Sequence, residues 1–374
     1  MSVVTVENHT GLPHLLYEKT TPAGVPMDVL VLKGSFDMPQ RGVMPRSSRQ
    51  SKIRYGDAHL GAEGAMPLSA VLLYEGDLVL EKPSSDIQVI GHLRSLEHDP
   101  SSSWLAELRV GTLEKQLLAV GPRQFEKNPL GWKLTKPERM TQVALDYRLA
   151  FGGSFYEPSE NDQPQAVAYP SNPAGCGWLP DSQDFAPLEQ GCRERIEQRI
   201  SNLKHFAAPQ FESPERRLAD PFQRLQPEGF GPIARWWQPR IALAGTLDAK
   251  WMAERYPLLP DDFDSRFYQS AHPHLITAQY LQGDEPVSLK GCFAEGAAHV
   301  QLPGLQPVVV VTLHTGRQQL LAPVLDTLRL DLDQRRATLL WRIAITGQEV
   351  RQLEVSLVGV QHWHQTQHMM GGQV

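Results

Sequence analysis

Cysteine is scarce in this chain: 374 residues hold three, Cys176, Cys192 and Cys292, far apart and without a C-x-x-C pair. An odd, scattered set builds neither a disulfide framework nor a zinc site, and it suits reduced thiols. Long apolar runs are missing as well. No stretch reaches eighteen apolar residues, so no membrane-spanning helix is predicted. The start, Met1-Ser-Val-Val-Thr-Val-Glu7, has neither the basic flank nor the apolar stretch of a secretory signal, and the expected location is the cytoplasm. Positive charge is not in excess either. Lys and Arg number 36 against 42 Asp and Glu, a net charge of −6. Phosphate backbones and anionic membrane surfaces call for a basic face, so neither nucleic acid nor membrane is an expected partner. No fixed-period repeat and no low-complexity segment is visible.

What is abundant is turn chemistry. The chain has 29 glycines and 30 prolines, yet 41% of its residues are hydrophobic, the fraction of a packed protein rather than a disordered one. Many short elements joined by turns follow, and the expected fold is mainly β with a few short helices. The length exceeds what a single core usually serves. Two β-sandwich-like or meander lobes with long ordered loops are therefore expected: an N-terminal β lobe at 1–180, a helix and proline-rich connection at 181–233 with its hinge at 207–233, and a C-terminal β-rich lobe at 234–374.

Particular strands read clearly. Asp28–Phe36, Ile87–Ile90 and the pair Leu105–Val110 and Leu113–Val120, split by Gly111-Thr112, have strand composition and turn punctuation. Ala70–Tyr74 and Leu78–Leu80 predict a hairpin through Glu75-Gly-Asp77. Thr141–Ala150 alternates like a strand, and Phe151-Gly152-Gly153 ends it where the backbone needs positive φ or close approach. Arg41, Arg46, Arg49, Lys52 and Arg54 fall in a polar stretch between 39 and 67 that reads as a mobile basic loop. Ile196, Ile200 and Leu203 recur at helical spacing, with Cys192 extending their face. Thr246 is a permissible cap for a two-turn helix carrying Leu247 and Trp251, stopped by Pro257. The last hundred residues return to strands at Val308–Thr315, Leu325–Leu332, Ala337–Thr346 and Val350–Val360. In Leu325–Leu332 the leucines alternate with Arg329 and Asp331, predicting one buried and one wet face.

Catalytic chemistry finds little support. Asp261, Asp262 and Asp264 form the best acidic group, suited in residue type to a hard cation or to glycoside hydrolysis, but a calcium loop's spacing is absent and helix capping accounts for them. His362 and His364 would point the same way on a strand, but with His368 they lie at a chain end without an acid or cysteine to complete a metal set, and His272-Pro-His274 lacks a third ligand. No G-x-S-x-G turn exists for a nucleophile, and the glycine pairs at 175–177 and 229–231 lack the helix and lysine of a phosphate loop. Neither cofactor nor metal is expected. Arg235, Trp236, Trp237, Arg240 and Trp251 have the composition of a partner-binding hot spot, although core packing explains the same letters.

A resemblance runs along nearly the whole chain. It is carried by Lys33-Gly-Ser-Phe36, Tyr147-Arg-Leu-Ala-Phe-Gly-Gly153, Asn172-Pro-Ala-Gly-Cys-Gly177, Gly229-Phe-Gly-Pro-Ile233, Trp237-Gln-Pro-Arg240, Ala244-Gly-Thr-Leu-Asp248 ahead of Trp251, and Leu259-Pro-Asp-Asp-Phe-Asp264. Gly283-Asp-Glu285, Leu325-Asp-Thr-Leu328 and Trp341-Arg342 complete it. In this order the strings resemble the domain of unknown function 2169 family, encoded near type VI secretion effectors. Residues 181–227 depart from that pattern. The resemblance implies a non-enzymatic adaptor or chaperone that binds a cognate secreted effector, often one with a PAAR tip, stabilises it and helps load it on the secretion spike. The alternative reading is a carbohydrate-active enzyme using the acidic group at 261–264.

Overall fold

A computed structural model describes residues 4–60, 70–157, 165–345 and 350–371, with the side chains of 366–371 excepted. The fold is mainly β, 42% strand against 12% helix. Its centre is a five-stranded sheet in the order His14–Thr20, Pro26–Asp37, Arg336–Ile345, Val324–Asp331, Asp86–Ile90. All neighbours are antiparallel except the last pair, Val324–Asp331 with Asp86–Ile90. A six-stranded sheet runs Phe211–Glu212, Leu113–Val120, Ser103–Val110, Pro286–Lys290, Ala298–Gln301, Arg41–Val43. A four-stranded sheet joins Thr5–Asn8, Val350–Gly359, Leu305–Leu313 and Gln318–Leu321.

Period-two alternation explains how these sheets share one core. Leu32, Phe36, Leu328, Leu330, Leu339 and Trp341 leave the five-stranded sheet on one side and join Leu108, Leu117 and Val287 of the six-stranded sheet and Val309 and Leu353 of the four-stranded one. Each such buried side chain contributes about 1.5–3 kcal/mol relative to exposure. A second, smaller core is drawn entirely from residues 125 to 225, with Phe125, Phe151, Trp178 and Ile196 at its centre.

The expected lobes therefore need correction. Both large sheets mix strands from 1–180 with strands from 234–374, so the boundaries at 180 and 234 cut through hydrogen-bonded ladders. The small core lies between 125 and 225, a stretch that also gives Val143, Tyr147, Ala150 and Phe211 to the main core. Nor is 207–233 a free hinge. Phe211 pairs with Ala119, the Val89 N–H donates to the Phe230 carbonyl, and Phe230 and Ile233 enter the main core. A strand edge with unpaired groups is covered here by irregular chain.

The expected strands at 28–36, 87–90, 105–110, 113–120, 308–315, 325–332 and 350–360 are present within a few residues, as is 337–346 up to Ile345, Thr346 lying outside the described residues. Three local expectations fail. Val71–Tyr74 pairs with Ala58–Leu60 rather than with 78–80, because Glu75 and Asp77 are buried by ion pairs and cannot form an open turn. Only Gln142–Ala144 of 141–150 is strand; Asp146 accepts from the Arg148 N–H and starts a short 3-10 helix at Tyr147–Leu149. The basic stretch is pinned where it is described: Ser47 and Gln50 bond to the backbone of Ser35, and the Arg46 guanidinium donates to the carbonyls of Thr10 and Gly11. Residues 61–67 of that stretch lie outside the description.

Helix α1, Gln190–Asn202, buries Cys192 and Ile196, and Ile196 with half-buried Ile200 packs into the small core, the face its spacing predicts. Helix α2, Ala249–Glu254, starts two residues later than expected. Asp248, not Thr246, caps it by accepting from the Trp251 N–H, the stronger capping geometry of a carboxylate at a helix start. Gly152 has φ +149, and a Cβ there would lie 2.1 Å from the Asn172 oxygen, so glycine is required at that crossing. No helix among the described residues is long and apolar enough to cross a membrane.

Candidate functional site

The five nominated residues divide between interior and surface. Trp237 is fully buried, edge-on to Tyr147 with ring centres 5.8 Å apart. Arg240 is buried too: its guanidinium pairs with Glu75 at 2.5 Å and donates to the carbonyls of Ile233 and Phe267 at 2.7 and 2.8 Å. Neither is available to a partner, and both are corrected to core anchors. A large ring and a guanidinium with many partners satisfy the 233–240 segment internally. Trp236 is half-buried against His59 at 5.3 Å. Arg235 keeps 43% of its side chain exposed while pairing with Asp57 at 2.8 Å. Trp251 is half-buried on α2, donating through Nε1 to the Leu258 carbonyl and meeting Tyr256 edge-on.

Around Trp251 lies apolar surface that the core does not use. Ile241, Leu247, Met252 and Tyr256 are exposed by 41% to 64% within sixteen residues of chain. Isolated exposed apolar side chains are ordinary, but a run of four on one short segment marks a candidate contact surface. The tight turns that present it are fixed by polar side chains. Asp262 accepts from the N–H and the hydroxyl of Thr246, at 2.8 and 2.7 Å, and Arg255 donates to the carbonyls of Leu259 and Pro22.

The same segment disposes of the acidic group. Asp261 pairs with Arg255 at 2.8 Å, Asp262 holds Thr246, and Asp264 caps the 3-10 helix Ser265–Tyr268 and grips Arg266. Hydrogen bonds from Thr246 hold Asp262 below its ordinary value, and those from Arg266 do the same for Asp264. A glycosidase proton donor needs a carboxyl raised toward neutrality, and these two are shifted the other way.

The histidines are placed differently from their sequence reading. His362, His364 and His368 lie on α3, Val360–Gly371, where positions two apart point about 200° from one another rather than the same way as on a strand. His364 Nε2 is 3.2 Å from the Gln282 side-chain oxygen, and the His368 side chain lies outside the description. His272 is buried; its Nδ1 accepts from the His274 N–H, and burial, with Lys115 and His274 nearby, pulls it well below the usual histidine value. Among the described residues no three His, Cys, Asp or Glu side chains gather to hold a metal ion.

The sequence reading missed a buried ionic layer. The face of the five-stranded sheet opposite the core is polar but not wet. Lys33 pairs with Asp77 at 2.6 Å, Lys82 with Asp86 at 2.8 Å and Arg342 with Asp326 at 2.6 Å, all with side chains 5% exposed or less. Arg342 also donates to Tyr17 Oη and to the carbonyls of Asp77 and Val79, so one side chain ties three parts of the chain together. Asp86 accepts from the Ser270 N–H, and Gln88 bonds Ser270 and Arg329. Strand alternation in Leu325–Leu332 separates the two faces, but the polar one, expected to be wet, is buried because chain from 75–86 and 269–270 covers it. The visible signal was the repeated placement of Lys33, Arg329 and Arg342 inside strongly apolar strands.

No curated protein and no solved structure matches the chain. A family does: residues 23–342 match the one described as an uncharacterized protein conserved in bacteria (DUF2169), and the chain belongs to that family.

Proposed function

We propose that this protein is a cytoplasmic adaptor or chaperone that binds a cognate type VI secretion effector, keeps it stable and helps load it on the secretion spike. The family's description names no activity, so the role rests on the resemblance carried by the residue strings and on what the surface offers. The observation that carries it is the exposed apolar set Ile241, Leu247, Met252 and Tyr256, held on short, well-bonded turns beside Trp251. Arg235 and Trp251, both partly exposed, remain candidate contacts; Trp237 and Arg240 are buried.

Such a surface suits protein binding. A few aromatic and aliphatic anchors on a rigid frame supply most of an interface's affinity, and pre-formed turns reduce the ordering cost on association. Covering a partner's apolar surface until hand-over would keep that partner from aggregating. No step of bond making or breaking belongs to this role, and neither nucleic acid nor membrane is a partner in it.

The test is genetic and biochemical together. Deleting the gene is expected to lower both the cellular level and the secretion of the effector encoded beside it, and the two proteins are expected to co-purify. Unchanged effector level and secretion in the deletion strain would contradict the proposal.

A further inference from the structure

Every strongly buried lysine in the ionic layer, and Arg240 and Arg342 with them, has a carboxylate partner. Arg329 does not. It sits mid-strand in Val324–Asp331, 5% exposed, between Thr338 on one neighbouring strand and Gln88 on the other. Its Nε donates to the Gln88 side-chain oxygen at 3.1 Å, and its guanidinium lies 5.0 Å from the centre of the Tyr74 ring. Arg54 lies over the same ring at 3.9 Å. Among the described residues no carboxylate forms an ion pair with Arg329, Arg54 or Arg336. The Arg336 Nε is buried and likewise has no hydrogen-bond partner among them.

These three arginines border one cleft of about 50 Å³, together with Lys33, Tyr74 and Asp331. Asp77 neutralises Lys33, and the one acid of the lining, Asp331, is engaged through Oδ1 by the Gln334 N–H. Three cations thus face one carboxylate, and the hydroxyl-bearing Ser51 and Thr338 border the same space. Burying a guanidinium without a paired carboxylate is costly, and burial, opposed only in part by the charges of Asp77, Tyr74 and Glu75, pulls Arg329 below the ordinary arginine value. Arginine forks match a planar carboxylate in two-pronged hydrogen bonds. A water needs about 10–15 Å³ of such space, so the cleft has room for a carboxylate group.

We propose that this cleft binds one carboxylate, with Arg329 at its floor and Arg54 and Arg336 at its rim. The proposal does not rest on the adaptor reading. The carboxylate has two possible sources, a small free acid or an acidic side chain of a protein partner, and the test separates them. Thermal unfolding of the full chain is followed against rising sodium acetate, and against acetyl-Gly-Glu-Gly-amide, each compared with sodium chloride at the same ionic strength. A saturable rise in Tm of a few degrees is expected for at least one of the two. That rise should vanish in the Arg54→Gln, Arg336→Gln double variant, whose substituted side chains are only half-buried and leave Arg329 in place. Response to acetate alone assigns a free acid; response to the peptide at equal or lower concentration assigns a protein-borne one. If neither exceeds chloride, or if the rise persists undiminished in the double variant, the proposal is overturned.

Discussion

Replacing Arg342 with methionine removes the best-connected cation of the buried ionic layer while keeping most of its volume. The Asp326 carboxylate, fully buried, then loses its 2.6 Å partner and keeps only the Thr327 hydroxyl at 2.8 Å, while the Asp77 carbonyl loses a donor. At that separation the direct attraction is about 6 kcal/mol with an effective dielectric of 20, and the desolvation of the two ions offsets most of it. The intact pair therefore contributes little net stability, but an orphaned buried carboxylate costs about 3–5 kcal/mol. Against a usual total of about 5–15 kcal/mol this is a large loss. Urea unfolding, followed by the fluorescence of buried tryptophans such as the neighbouring Trp341, measures it. Asp326→Asn in the Arg342→Met background relieves the orphan charge, so the double variant should be more stable than the sum of the two single losses by about 1.5 kcal/mol or more. A loss under about 1 kcal/mol for Arg342→Met, or strict additivity, would refute the claim that this face is a dry, charge-paired layer.

Further outcomes are expected elsewhere. Gly152→Ala forces a Cβ against the Asn172 carbonyl at positive φ and should leave the chain insoluble or far less stable, measured by soluble yield and Tm. His272 has a folded-state value below its ordinary 6.5, so the unfolded chain takes up the proton first: stability is full above pH 6.5 and falls as the pH drops below it, at up to about 1.4 kcal/mol per pH unit. His272→Asn, which retains an acceptor for the His274 N–H, should flatten that slope between pH 7 and 5 in unfolding titrations; an unchanged slope would place its origin elsewhere. Burial pushes the Cys292 thiol up to about 12, so iodoacetamide at pH 8 should leave it unmodified in the native protein and modify it after denaturation, as read by peptide mass.

The strands with uninterrupted apolar patterning, such as Pro26–Asp37 and Leu113–Val120, were legible because period two and turn residues bound them locally. Their assembly was not. Nothing in the local pattern says that Pro26–Asp37 pairs with Arg336–Ile345, three hundred residues away, and so sequential lobes were expected where interleaved sheets exist. Capping was legible as a chemistry and displaced by position: Asp264 caps as its acid suggests, whereas Asp248 supplies the cap expected of Thr246. The nominated contact residues are mixed in placement, because a tryptophan beside an arginine has the same letters whether it reaches the surface, as Arg235 and Trp251 do in part, or fills the interior, as Trp237 and Arg240 do. The exposed apolar side chains at 241–256 escaped notice since sequence gives no exposure for a leucine outside a periodic element. The arginine cleft escaped because its members come from five separated stretches of chain.

The proposed adaptor function is tested most directly by mixing the purified protein with the purified product of a neighbouring effector gene and measuring association by titration calorimetry. The wild-type chain is expected to bind saturably, and the Leu247→Asp, Met252→Asp, Tyr256→Ser variant to bind at least tenfold more weakly with an unchanged Tm, since those side chains contribute to no core. Absence of binding by the wild-type protein would contradict the adaptor role, and equal binding by the variant would remove the 241–256 surface from it.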